Sequence, residues 1–158
     1  MKKIVTVNKE NAGLVYGLFN LYRVFYGKEP DLALARKYID ERVRQADSII
    51  FVALEDGVPI GFTQLYPSFS SARLVKNWII NDLYVLEDSR SQGVGTLLLE
   101  RAFHEAAKRG ATAVLISTQQ TNRTARRLYQ YLGFREKEQA SEFVDYWLEL
   151  DTDGRRDG

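Results

Sequence analysis

Apolar and polar positions change period several times along the chain, and each change marks an element. Ile4-Val5-Thr6-Val7 is rich in β-branched residues, the pattern of a short strand. Over residues 11–25 the apolar positions 14, 15, 18, 21, 22 and 25 recur at helical spacing, which predicts an amphipathic helix. Gly27-Lys28-Glu29-Pro30 breaks it, and Asp31 then caps a second helix with Leu34, Ala35, Tyr38 and Val43 inward. Tyr22 and Phe25 read as core residues at helix spacing, while Tyr26, at the helix end, is free to line a site.

Residues 48–54 and 59–66 read as two strands joined through Glu55-Asp56-Gly57-Val58, and Asp-Gly is a strong hairpin signal. Residues 64–71 carry a proline among Tyr, Phe and Ser where a strand would be ending. They read equally as a ligand-facing loop, with Tyr66 and Phe69 available to substrate, or as an irregular edge. Residues 76–86 form the central strand, interrupted by the polar pair Asn81-Asp82. Burying such groups is costly unless each is hydrogen-bonded, so the pair is either a satisfied structural feature or a site. In a regular strand the two side chains would point to opposite sides.

A helix follows over 96–108, with Leu99, Ala102, Phe103 and Ala106 inward, Gly110 as its stop and His104 in solvent. Residues 113–118 are apolar almost throughout, as in a strand covered on both faces. Thr121 or Asn122 caps a helix in which Ala125, Leu128, Tyr129 and Leu132 share a face, ended by Gly133. Residues 142–150 alternate enough for a last strand, with Phe143, Tyr146 and Trp147 expected in the core. Residues 151–158 are a charged tail, expected to be flexible. The expected organisation is one domain over 1–150.

Composition narrows the function classes. Lys and Arg number 22 against 21 Asp and Glu, so the formal net charge of +1 supplies no field for a polyanion, and nucleic acid is not expected as a partner. The sequence has no cysteine, which excludes disulfides, thiolate metal sites and a Cys nucleophile. One histidine, His104, rules out a cluster of His ligands, and no metal is expected. No apolar run approaches the roughly 18 residues that would cross a bilayer, so a soluble cytoplasmic protein without a membrane partner is the default expectation.

The stretch Leu83-Tyr84-Val85-Leu86-Glu87-Asp88-Ser89-Arg90-Ser91-Gln92-Gly93-Val94-Gly95-Thr96 reads as a strand, a polar turn and a glycine-bearing loop opening into a helix. Glycines let backbone approach a ligand without an intervening Cβ. A helix start offers about four unpaired N–H groups and roughly half a positive charge, and Arg90 adds a full one. The result is an anion cradle. Neither Gly-x-Gly-x-x-Gly nor the Gly-Lys-Ser/Thr loop is present. Arg90-x-x-Gly93-x-Gly95 instead resembles the pyrophosphate loop of the GNAT superfamily of acyl-CoA-dependent N-acetyltransferases. The resemblance strengthens at Asn122-x-x-Ala125-x-x-x-Tyr129-x-x-x-Gly133-Phe134, a second motif of that superfamily, in the expected order and spacing.

The resemblance implies an α/β (α+β) fold with a mixed central sheet of about six to seven strands flanked by about four helices. It implies acetyl-CoA as cofactor, held by backbone groups of Leu83, Tyr84 and Val85. The loop Arg90, Ser91, Gln92, Gly93, Val94, Gly95 and Thr96 would take the pyrophosphate, and Asn122 the pantetheine arm. Tyr129 would protonate the leaving thiolate. The acceptor is then an amine, which must lose a proton before it attacks. The related diamine acetyltransferases carry Glu where this chain has Asn81, which cannot act as a base; Asn81 is expected to order a water instead, with Asp82 as an uncertain substitute. Tyr26, Tyr66, Phe69 and Asp82 are expected to meet the substrate, a small-molecule amine such as a polyamine, an amino acid derivative or an aminoglycoside. A protein lysine or N-terminal acetyltransferase, and a non-catalytic acyl-CoA-binding module, are the alternatives; a homodimer through the last strand is compatible with all three.

Overall fold

In the computed structural model, residues 1–137 and 144–151 are described. The elements run β1 (Lys2–Thr6), α1 (Gly13–Phe25), α2 (Leu32–Gln45), β2 (Ile49–Glu55), β3 (Val58–Ser70), β4 (Val75–Val85), α3 (Val94–Lys108), β5 (Val114–Ile116) and α4 (Arg123–Tyr131). The strands form one sheet in sequential order, antiparallel from β1 to β4, with β5 parallel to β4. A parallel neighbour cannot be reached by a tight turn, and α3 supplies the crossover.

The sheet is covered on both faces. Phe51, Leu65 and Ile80 pack with Leu98, Leu99 and Ala102 of α3 on one side. Ile50, Val52 and Phe62 pack with Val15, Ile39 and their neighbours from α1 and α2 on the other. β2 therefore feeds alternate residues into two cores, which explains its unbroken apolar run. The Asp56-Gly57 turn has φ of 50° and 83°, the left-handed pair that a two-residue hairpin needs. Asp31 caps α2 as expected, its carboxylate accepting from the Leu34 N–H at 3.0 Å.

Several expectations are corrected. The sheet has five strands among the described residues, against six to seven. Residues 144–149 form no strand and Leu150 makes only an isolated bridge, while 142 and 143 lie outside the described residues, as do 152–158. Tyr146 and Trp147, expected in the core, are 94% and 88% exposed. Alternation marks a strand only where a partner edge receives it. Of the two readings of residues 64–71, the irregular edge holds over 64–70 and the loop does not: β3 continues to Ser70, pairs with β4, and slips register between Gln64 and Leu65. Pro67 is tolerated because β2 pairing stops at Ile49–Leu65, so β3 has a single neighbour there.

One glycine sets how closely α3 lies. A Cβ on Gly61 of β3 would sit 2.9 Å from the Tyr84 carbonyl oxygen and 3.3 Å from Val94 Cγ1. Its absence lets the first turn of α3 press against the sheet beside the end of β4.

Candidate active site

β4 and β5 pair only from Trp78–Val114 to Ile80–Ile116, and then part. At the same point the register between β3 and β4 slips: Leu65 faces Ile80, Gln64 faces Asp82, and Asn81 is left over as a bulge. The extra residue reverses the alternation. Leu83 and Val85 pack with the α3 core, whereas Tyr84 turns towards α1. Among the described residues the β4 edge beyond Ile80 thus has no strand partner on the β5 side, and apart from the Val85 carbonyl, which Arg90 takes, its peptide groups are placed to meet a ligand in the manner of an added strand.

This edge borders a cleft of about 560 Å³. Ile80, Asn81, Leu83, Tyr84 and Val85 line it from β4, and Arg90, Ser91, Gly93, Val94, Gly95 and Thr96 from the loop and α3. Ser117, Asn122, Leu128 and Tyr129 line it from the β5–α4 side, and Phe25 and Tyr26 from the end of α1. Two motifs that lie one helix and one strand apart in sequence therefore face each other across one opening.

The loop is shaped for an anion. Gly93, the residue before α3, has φ of 80°, and Ser91 has φ of 61°. No side chain caps this helix, so its first-turn N–H groups point into the cleft without a side-chain partner. A Cβ on Gly95 would meet only Leu128 Cδ2 at an ordinary 3.7 Å, so packing within the protein does not demand glycine there. Arg90 donates from Nε to the Val85 carbonyl at 2.9 Å, with its guanidinium 5.7 Å from the Tyr84 ring centre and 5.8 Å from that of Phe25. Asn122 caps α4, its side-chain oxygen accepting from the Ala125 N–H at 3.1 Å.

Behind the bulge lies a buried polar chain. Asn81 Nδ2 donates to Asp82 Oδ1 at 2.7 Å, Gln64 Nε2 to Asp82 Oδ2 at 2.6 Å, and Ser48 Oγ to Gln64 Oε1 at 2.8 Å. Burial pushes the Asp82 carboxyl above its ordinary value, and hydrogen bonds from Gln64, Asn81 and Tyr22 oppose that rise. Tyr129 is likewise raised, first by burial and then by the nearby Tyr26, so it holds its proton well past neutral pH.

Four sequence candidates do not line the cleft. Asp82 is 2% exposed, beneath Asn81. Tyr66 shares a 2.7 Å hydrogen bond with Tyr38 of α2, and Phe69 lies at the far end of the β3–β4 hairpin with Lys76 Nζ 5.5 Å from its ring centre. Gln92 donates to the Asp88 carbonyl at 3.2 Å. Conversely Phe25, read as core, lines the cleft. It stands at the last helical position before the break, where a period of 3.6 does not distinguish a core face from a cleft wall. Gln64, at the end of the strand expected over 59–66, gave no signal.

Among the described residues no group of three or more His, Cys, Asp or Glu is placed to hold a metal, and no helix is long and apolar enough to cross a membrane. The profile of the acetyltransferase (GNAT) family matches residues 15–134. An uncharacterized N-acetyltransferase of Bacillus subtilis, YhfO, is 39% identical over 140 residues, 89% of this chain and 92% of its own. The crystal structure of a probable acetyltransferase superposes with a TM-score of 0.84 at 39% identity, covering 94% of this chain and 98% of that one. The fold also matches AAC(6')-Iy, solved with the bisubstrate analogue CoA-S-monomethyl-acetylneamine, with a TM-score of 0.75 at 21% identity over 93% and 99% of the two chains. Fold, cleft and sequence agree: the chain belongs to the acetyltransferase (GNAT) family, whose members use acetyl-CoA.

Proposed function

We propose that this protein transfers the acetyl group of acetyl-CoA to the primary amine of a small molecule. The observation that carries the reading is the freed β4 edge, which runs from the Asn81 bulge straight into an uncapped helix start, with Tyr129 on the opposite wall. Peptide groups of Leu83, Tyr84 and Val85 would hold the extended arm of the cofactor. Ser91, Gly93, Val94, Gly95 and Thr96 would hold its pyrophosphate through backbone N–H groups, Arg90 would add charge, and Asn122 would flank the arm. Acetyl-CoA, when bound, supplies the thioester carbon that the amine nitrogen attacks, with cleavage of the C–S bond and release of coenzyme A.

Tyr129 lines the cleft and would give its proton to the departing sulfur; burial keeps it protonated but makes it a weaker acid, so its position, not its acidity, would carry the step. Asn81 is no base; its Nδ2 is committed to Asp82, which leaves its amide oxygen free to accept from the incoming amine or from a water that takes the amine's proton. The aromatic rings of Phe25 and Tyr26 on the cleft wall favour a small acceptor over an extended peptide. A thiol-release assay with acetyl-CoA and simple primary amines tests the reading. Amine-dependent release is expected, and acetyl-CoA binding without release from any amine would leave a binding module in its place. Because the chain has no cysteine, a thiol reagent reports coenzyme A alone.

A further inference from the structure

Tyr22, Tyr26, Phe25 and Tyr84 form a continuous run of rings between the core and the cleft. Their centres lie 4.9 Å (Tyr22–Tyr26), 5.3 Å (Tyr26–Phe25) and 6.2 Å (Phe25–Tyr84) apart. Phe25 and Tyr26 remain 62% and 58% exposed, an unusual placement for two adjacent rings at a helix end unless they face a ligand. Phe25, Tyr26 and Tyr84 line the same cleft as Tyr129, the group that would protonate the leaving thiolate. The rings already accept a cation, since the Arg90 guanidinium lies against both Phe25 and Tyr84.

From this wall we infer that the acceptor is a monoamine carried on an aromatic or apolar body, an arylalkylamine, and not a polycation such as a polyamine or an aminoglycoside. The inference rests on the acetyl-transfer reading above and names its substrate class. Asp82, beside the lining residue Asn81, is 2% exposed and has both oxygens taken by Gln64 and Asn81. Among the described residues Glu29, Glu87 and Asp88 are not part of the cleft lining, and the one ionised side chain that is, Arg90, is itself a cation. Each additional ammonium of a polycation would lose water here with no carboxylate of the cleft lining, among the described residues, to pair with it. One amine loses its proton in order to react, and an apolar body behind it matches the rings.

The test measures thiol release from acetyl-CoA with 2-phenylethylamine, spermidine and kanamycin, each as kcat/KM. In the unaltered protein, 2-phenylethylamine is expected to lead both polycations by roughly tenfold or more. In Phe25→Asp the ratio of spermidine to 2-phenylethylamine is expected to rise by about tenfold; a ratio within one variant is independent of how much of it folds. Spermidine or kanamycin equal to or ahead of 2-phenylethylamine in the unaltered protein would overturn the arylalkylamine assignment and leave acetyl transfer standing. An unchanged ratio in Phe25→Asp would overturn the part given to the ring wall. No release with any of the three would overturn the transfer reading and this inference with it.

Discussion

Arg90 Nε lies 2.9 Å from the Val85 carbonyl oxygen, so the cation of the loop is bonded to the strand edge on which the proposed cofactor arm would lie. A diphosphate at the start of α3 would compete for that guanidinium, and moving it towards the phosphates would expose both the Val85 carbonyl and the rings of Phe25 and Tyr84. Under the proposed function, cofactor binding and opening of the acceptor wall would be linked through one side chain.

Arg90→Ala removes a charge-assisted contact valued at about 1.5–3 kcal/mol, which corresponds to a loss of acetyl-CoA affinity of roughly 10- to 100-fold. Calorimetric titration at two salt concentrations checks this. The deficit is expected to narrow at high salt, where the wild-type contact is itself screened.

Tyr129→Phe keeps the ring and deletes the proton. General acid catalysis contributes typically about 10²–10⁴-fold, so kcat is expected to fall by at least about tenfold with little change in the acetyl-CoA dissociation constant. An equal loss in both quantities would place Tyr129 in binding, and unchanged kcat would remove it from the chemistry.

Asp82 makes an unusual statement about acid stability. Its carboxyl is raised in the folded protein above the ordinary 3.8, so on acidification the native state takes up this proton before the unfolded chain does. The contribution of Asp82 to stability therefore grows as pH falls through its raised value and levels off below 3.8. Asp82→Asn, which also mispairs one amide of the buried chain, is expected to be less stable by about 1–3 kcal/mol. That deficit is expected to be larger near pH 4.5 than at pH 7. Denaturant unfolding at the two pH values decides, and a deficit that shrinks in acid would mean that the hydrogen bonds outweigh burial.

Gly61→Ala forces a methyl group to within 2.9 Å of the Tyr84 carbonyl oxygen and 3.3 Å of Val94. Overpacking of this kind costs about 1–3 kcal/mol. Because the displaced element is the first turn of α3, acetyl-CoA affinity is expected to fall along with the unfolding midpoint, although residue 61 does not line the cleft.

The sequence was most legible where local chemistry is distinctive. Gly93 announced a turn opening a helix, Asn122, one of two candidates, a helix cap, and Asp56-Gly57 a hairpin, because each demands a particular backbone shape or donor within a few residues. Long-range register was not legible. The bulge at Asn81 depends on where Gln64 and Leu65 settle on the partner strand, and it alone decides that Asp82 is buried and Tyr84 faces α1. Tyr66 and Phe69 were candidates because a proline among Tyr, Phe and Ser reads equally as a ligand-facing loop or an irregular edge, and the edge strand that forms carries them to α2 and to the far hairpin end. Phe25 was hidden in the opposite sense, since an aromatic on an apolar stripe looks the same whether it meets a core or a cleft.

The thermal unfolding midpoint measured with and without acetyl-CoA tests the central claim most directly. Ligand at about 100 times its dissociation constant adds about 2.7 kcal/mol of stability. For a domain of this size that is a rise of roughly 5–11 °C, and Gly93→Glu, which puts a side chain on a left-handed residue and a negative charge in the cradle, is expected to abolish the rise. The same rise in Gly93→Glu would move the site away from this loop. No rise in the unaltered protein at millimolar acetyl-CoA would contradict acetyl-CoA as the ligand of the cleft.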